Sequence, residues 1–313
     1  MDKENLLNIE NLYVEYSVNN SIIGKKHTIH AVNGVSLGIK KGEIVAIAGE
    51  SGCGKSTLAK AILKLEPIKD GCIIFNSCKA NNPKTFRQFA QIIFQNPYAS
   101  LNPKMKILEI LSEPLKINTD YKKEKIIEIV KEKIKLVGLD ESCLEQYPHE
   151  FSGGQRQRIA IARALMLEPE FIVADEPVSA LDVSIQAQII NLINELKIKY
   201  NITFLLITHD MGVIEYLADR VAIMYLGEIV EHGKTKDIFA NPLHPYTKAL
   251  INSVPSFQKG KNIQLLKGDL PSPADLPDGC KFHTRCPRVM KKCKTCTPEY
   301  FGINHTVKCF LYE

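Results

Sequence analysis

The 313-residue chain has no apolar run approaching the roughly 18 residues needed to span a membrane. Its opening Met1-Asp-Lys-Glu-Asn lacks the basic-then-apolar order of a secretory signal, so the chain reads as cytosolic. Charge is not concentrated in one sign: 40 Lys and Arg against 35 Asp and Glu leave +5, which suits anionic ligands but excludes the basic stripe of a nucleic-acid binder. Internal repeats and low-complexity tracts are also lacking. With 45% apolar and 24% charged residues, the composition is that of a globular protein, which removes the disordered and fibrous classes. The length suggests about two structural units.

Nine cysteines are present, and without an export signal free thiols or metal ligands are expected rather than disulfides. Cys53, Cys72, Cys78 and Cys143 are scattered, whereas Cys280, Cys286, Cys293, Cys296 and Cys309 crowd the C-terminal end. Apolar, β-rich runs at Ile9–Tyr16, Glu43–Ala48, Cys72–Phe75, Gln91–Phe94, Phe171–Ala174, Thr203–Thr208 and Val221–Tyr225 predict strands, several of them apolar throughout, as buried parallel strands are. Between Asn96 and Leu167 the patterns are helical. In Lys122–Val137, Ile126, Ile127, Val130, Ile134 and Val137 recur at helical spacing, and Gly138 offers a left-handed stop. After Gly233 the rising density of Pro and Gly marks an irregular extension.

Gly49-Glu-Ser-Gly-Cys-Gly-Lys55-Ser56 matches the G-x-x-x-x-G-K-[ST] phosphate loop, and it stands between a predicted strand and the helical run Thr57–Leu65. Gly49, Gly52 and Gly54 permit a nest of amides directed at phosphate oxygens, to which the helix start adds partial positive charge. Lys55 is expected to reach the β and γ phosphates and Ser56 to ligate Mg²⁺. The nucleotide-contact set is Gly49, Glu50, Ser51, Gly52, Cys53, Gly54, Lys55, Ser56 and Thr57, with Cys53 as a small spacer. Phe171-Ile-Val-Ala-Asp175-Glu176 is an apolar strand ending in two acids. Asp175 can hold Mg²⁺ through its water shell, and Glu176 can polarise the attacking water. Phe151-Ser152-Gly153-Gly154-Gln155 before a helical stretch combines a hydroxyl, two glycines and a helix start, a second anion site.

At this point the chain resembles the ATP-binding cassette family, whose signature loop is Leu-Ser-Gly-Gly-Gln, with Phe151 in place of Leu. The resemblance covers roughly residues 5–255. It implies an α/β P-loop NTPase of RecA-like type, with an antiparallel β-subdomain, a helical insertion and a Cys-rich C-terminal extension. The corresponding divisions are 1–95 with 168–240 for the ATP-binding core and its β-subdomain, 96–167 for the helical subdomain, and 241–313 for the extension. It further implies that Tyr16, with Tyr13 nearby, stacks on adenine; that Gln95 touches Mg²⁺ and the water; that Asp182, in Ser179-Ala-Leu-Asp182, crosses a dimer interface; and that His209 contacts the γ-phosphate. Ser152, Gly153, Gly154 and Gln155 would then close over ATP held by a second cassette.

Phe94-Gln-Asn-Pro-Tyr-Ala-Ser-Leu-Asn-Pro103, Asn241-Pro-Leu-His-Pro-Tyr-Thr247 and Gly279-Cys-Lys-Phe-His-Thr-Arg-Cys286 resemble the ATPase subunits of dipeptide, oligopeptide and nickel importers, of the OppF, AppF or DppF type. That resemblance implies a heterodimer with an OppD-type ATPase at the cytoplasmic face of the membrane, under two permease subunits fed by an extracellular binding protein. The alternatives are an ATPase for nickel or another small solute, and a soluble regulatory cassette without a permease. Similar importer ATPases carry four tail cysteines matching Cys280, Cys286, Cys293 and Cys309, associated with a [4Fe–4S] cluster. Cys296 could replace Cys293, and zinc, free thiols or a disulfide remain as alternatives.

Overall fold

The protein is described by a computed structural model over residues 5–19, 26–253 and 268–313. Its strands are β1 (Asn5–Asn19), β2 (Lys26–Lys40), β3 (Ile44–Ala48), β4 (Asp70–Phe75), β5 (Ala90–Ile93), β6 (Phe171–Asp175), β7 (Thr203–Ile207), β8 (Arg220–Tyr225), β9 (Glu228–Lys234) and β10 (Thr306–Val307). Among the described residues, no helix is long and apolar enough to cross a membrane. The chain divides into two compact units: Met1–Leu6, Lys40–Glu43 and Phe75–Ile207 form one, and Leu7–Ile39, Ile44–Ile74 and Thr208–Glu313 the other.

In the first unit β5, β6 and β7 are parallel neighbours, with Ile93 opposite Ala174 and Asp175 opposite Ile207. Parallel strands covered on both faces need apolar residues at every position, and Phe171, Ile172, Val173 and Ala174 are all buried. Phe75, Phe86, Phe89 and Phe171 cluster at one end, with ring centroids 5.2–6.5 Å apart. Residues 96–167 contain helices and turns and no strand. In helix Lys123–Leu136, Ile126, Val130 and Ile134 are buried at a spacing of four, and each such side chain contributes about 1.5–3 kcal/mol. The helix ends where the spacing predicts: Gly138 has φ 75°, its N–H donates to Lys135 O at 2.9 Å, and Leu139 N–H donates to Ile134 O at 3.1 Å. That is the Schellman arrangement, which requires a left-handed residue.

The second unit holds a three-stranded sheet of order β2-β1-β4 and a second set in which β3 pairs parallel with β8, while β9 pairs antiparallel with β8 and with β10. Strand β3 is buried throughout and leads through the glycine-rich loop into helix Lys55–Ile62. β8 and β9 are joined by Leu226 and Gly227, both at positive φ (43° and 82°), the conformation that matches strand twist in a tight hairpin.

Three strands escape the sequence reading. In β2 the buried residues Val32, Val35, Leu37 and Ile39 do not alternate regularly, because Gly34 at φ 68° inserts a kink that breaks the period of two. In β9 the charged Glu228 and Glu231 are buried, so the strand looks polar. β10 is two residues long, too short to show a period of two, and pairs with β9.

Candidate functional site

The phosphate loop is built within the second unit. Gly49, Gly52 and Gly54 have φ 156°, 81° and 106°, and a Cβ on Gly49 or Gly54 would stand 2.2 Å from Met224 O or 2.0 Å from Ala31 O. Both positions are therefore closed to any side chain, and the loop lies flush on its neighbours. Lys55 is buried, and its Nζ donates to Gly49 O at 2.8 Å and Glu50 O at 2.9 Å, so the ammonium lies within the curl of the loop. Ser56 is exposed in the first turn of the helix. Cys53 is buried beneath the loop and its N–H donates to Glu50 O at 3.3 Å; burial pushes its thiol up, which suits a spacer and not a reactive thiolate. In the same unit Tyr16 lies partly exposed on β1. His209 is exposed just before Asp210, whose carboxylate caps helix Met211–Leu217 by accepting from Gly212 N and Val213 N.

The acids and the signature loop belong to the first unit. Asp175 ends β6, and Glu176 follows at φ 46°, a left-handed conformation that costs a non-glycine residue about 1–3 kcal/mol and concentrates at working sites. Its N–H donates to Ile207 O at 2.8 Å, which fixes the turn. Gln95, just beyond β5, donates from Nε2 to Glu176 Oε2 at 2.8 Å, so the structure brings these two predicted residues together. Ser152 caps helix Gly153–Leu165 reciprocally: Gln155 N–H donates to Ser152 Oγ at 3.4 Å, and Ser152 N–H donates to Gln155 Oε1 at 3.0 Å. A Cβ on Gly154 would stand 2.4 Å from Ile185 Cγ2, in the helix that Asp182 caps. Hydrogen bonds from Ile185 N and Ser184 Oγ hold the Asp182 carboxyl below the usual range. Phe151 is buried, as an apolar residue at that position should be.

In the tail, Cys293 and Cys309 are buried, Cys280 and Cys286 are half-buried, and Cys296 is exposed. Burial, with a smaller contribution from the neighbouring thiols, pushes the Cys280 thiol up to about 11. Arg288 N–H donates to Cys286 Sγ and Met290 N–H to Cys293 Sγ, both at 3.4 Å. Among the described residues, no group of three or more His, Cys, Asp and Glu side chains is drawn together as a metal cage.

Comparison with known proteins decides the family. The family model for ABC transporters matches residues 32–179, and that for the C-terminal region of oligopeptide/dipeptide transporters matches residues 230–293. The chain is 45% identical to the oligopeptide transport ATP-binding protein AppF of Bacillus subtilis, covering 100% of this chain and 99% of the relative. The chain belongs to the ATP-binding cassette family. This cassette is also 44% identical to the OppF protein of Escherichia coli (97% and 95% covered) and 45% identical to the dipeptide transport protein DppF of Haemophilus influenzae (98% of each). Among solved structures it is similar to the dimeric post-hydrolysis cassette MJ0796 bound to ADP and phosphate, with a TM-score of 0.64, 30% identity, and 73% and 98% of the chains covered. It is equally similar to the cbiO1 protein of Clostridium perfringens, with a TM-score of 0.64, 30% identity, and 76% and 92% covered. The fold is that of a P-loop ATPase, and the chain is an ATPase of the ABC transporter type.

The β8–β9 hairpin tip and residues of the cassette's extension brace the phosphate loop, and sequence reasoning missed them. Gly227 at the hairpin tip donates from its N–H to Cys53 O at 2.9 Å. Tyr246 accepts from Glu50 N–H at 2.8 Å, and Arg285 grips the Glu50 carboxylate with two bonds of 2.6 and 3.1 Å. Tyr246 and Arg285 both lie in segments that carry the family resemblance, yet no spacing rule links position 50 to a partner 235 residues away.

Proposed function

We propose that this cassette energises uptake of oligopeptides or dipeptides as a peripheral subunit at the cytoplasmic face of the membrane, paired with an OppD-type ATPase beneath two permease subunits. An extracellular binding protein delivers the solute. The full-length similarity to peptide-transport ATP-binding proteins, which extends through the C-terminal region, carries this reading.

ATP with Mg²⁺ is the working ligand, and the residues present fit it: a loop whose glycines at 49, 52 and 54 take positive φ, and a lysine inside its curl. The loop from Gly49 to Thr57 binds phosphate, with Lys55 on the β and γ groups, and Tyr16 stacks on adenine. Ser56, Gln95 and Asp175 would hold Mg²⁺, which neutralises the charge developing on the phosphates. Glu176 takes the proton of the attacking water. Gln95, donating to Glu176 Oε2, orients the carboxylate for that role, and His209 contacts the γ-phosphate. Ser152, Gly153, Gly154, Gln155 and Asp182 serve nucleotide held by the partner cassette. The exposed aromatics Phe94 and Tyr98 flank Gln95 on either side in sequence, and this surface receives the permease. We retain the division into 1–95 with 168–240, 96–167 and 241–313 as the functional one.

The tail is proposed to hold a [4Fe–4S] cluster on Cys280, Cys286, Cys293 and Cys309. The amide donors to the Cys286 and Cys293 sulfurs suit thiolate ligation, and the exposure of Cys296 favours Cys293. The cluster's chemistry here is structural, tying a loop-rich segment to the cassette.

Coexpression with the neighbouring ATPase and permease genes tests the proposal. A membrane complex whose ATPase rises with peptide and binding protein is expected. An active cassette that recovers no membrane subunit would overturn the reading.

A further inference from the structure

Four observations within the second unit converge on Glu50. Its carboxylate receives both terminal guanidinium nitrogens of Arg285, whose side chain is 7% exposed, while the Glu50 side chain is 27% exposed, so the pair is partly shielded from water. Its backbone N–H is held by Tyr246 Oη. Its backbone carbonyl accepts from Lys55 Nζ, the ammonium assigned to the phosphates. Tyr246 is fully buried, packs edge-on against Tyr225 (4.8 Å between centroids) and lies tilted against Phe282 at 5.4 Å, while Phe282 meets Tyr225 edge-on at 5.2 Å. Phe282 and Arg285 lie between Cys280 and Cys286, so one short stretch of tail supplies both the packing and the charge.

Glu50 is therefore held at its carboxylate, its amide and its carbonyl, two of these by residues outside the loop. Amide nests bind phosphate only when their N–H groups are already turned inward, and a glycine-rich loop does not hold that shape unaided. We propose that Arg285 and Tyr246 are positioning residues that preorganise the phosphate loop through Glu50, so that nucleotide binding and the order of the 280–286 segment are thermodynamically linked. This rests on the reading that Gly49–Thr57 binds the nucleotide phosphates. By reciprocity, whatever orders the tail raises nucleotide affinity, and nucleotide must order the tail by the same factor. The cysteine-bearing segment thus acts on the ATP site through a salt bridge, with no electron transfer involved.

The test uses the intact chain with Mg·ADP. In the unaltered protein, Mg·ADP should slow backbone amide exchange in residues 280–290 about five- to tenfold, the range of a modest coupling. Arg285→Gln should weaken Mg·ADP binding about tenfold and abolish that protection, and Arg285→Lys should restore part of both. Adding Glu50→Gln to Arg285→Gln should cost little more than either change alone, since both remove one interaction. Unchanged exchange in 280–290 on saturation with Mg·ADP would refute the linkage without reference to any variant. A folded Arg285→Gln protein with parental affinity would refute the positioning role. A chain that binds no Mg·ADP at all would instead overturn the nucleotide site itself.

Discussion

Glu176→Gln separates the chemistry of the site from its architecture. Glutamine is isosteric with glutamate, and its amide oxygen can still accept from Gln95 Nε2 where Glu176 Oε2 now does at 2.8 Å. The left-handed φ of 46° imposes the same cost on either residue, and the N–H bond to Ile207 O is untouched. Folding and Mg·ATP binding should therefore survive, and only the proton acceptor is lost. A general base contributes about 100- to 10,000-fold, or about 2.7–5.5 kcal/mol of barrier. Gln95→Ala keeps the base and removes the group that orients it, a hydrogen bond to a charged atom worth about 1.5–3 kcal/mol, so its loss should be about ten- to a hundredfold. Phosphate release by the assembled transporter and equilibrium nucleotide binding, measured on the same preparations, distinguish the two. A Glu176→Gln rate within about threefold of the parent would remove Glu176 from the chemistry, and an equal collapse of nucleotide affinity would show that its role is structural.

Lys55→Ala should weaken Mg·ATP binding itself, because it removes a direct phosphate contact, and unchanged affinity in a titration would contradict the assignment. Glu231 is fully buried and accepts from Leu243 N and His244 N, both at 2.8 Å, and pairs with His305 Nε2 at 2.7 Å. Glu231→Ala leaves one buried and one half-buried amide without that acceptor and should cost about 3–5 kcal/mol in denaturant unfolding, against about 1–3 kcal/mol for Glu231→Gln, which can keep part of the set. Burial, aided by Lys248, lowers the His244 pKa to about 3, and burial followed by Arg220 and His305 lowers His232 to about 4. Unfolded histidines protonate near pH 6.5, so this contribution to stability is complete above that pH and falls as pH drops toward 4, by about 1.4 kcal/mol per pH unit for each group. His244→Asn should reduce that slope by about one proton, and stability that stays flat from pH 6.5 to 4.5 would contradict the burial. Protein purified without oxygen should be brown, carry about four irons per chain and lose them with Cys280→Ser; colourless protein with one tightly held zinc would refute the cluster.

Much of the site was legible because it is local in sequence. The phosphate loop needs glycines at fixed offsets because its backbone must take positive φ, and the strand before Asp175 is apolar throughout because parallel strands are covered on both faces. Gly138 ends its helix for the same local reason. The pairing of Gln95 with Glu176, 81 residues apart, was reachable only through family resemblance, and the hydrogen bond itself is a tertiary fact. What only the three-dimensional structure decided is the support of the loop. Strand β9 hides two acids that sequence reads as surface, because Glu231 is matched by donors 12 to 74 residues away, and Glu228 by Lys308. Arg285 looks like an ordinary charge among cysteines until the fold sets it on Glu50. Composition and periodicity record which residues prefer burial or a given φ, but the partner that makes a buried charge tolerable is chosen by the folded chain.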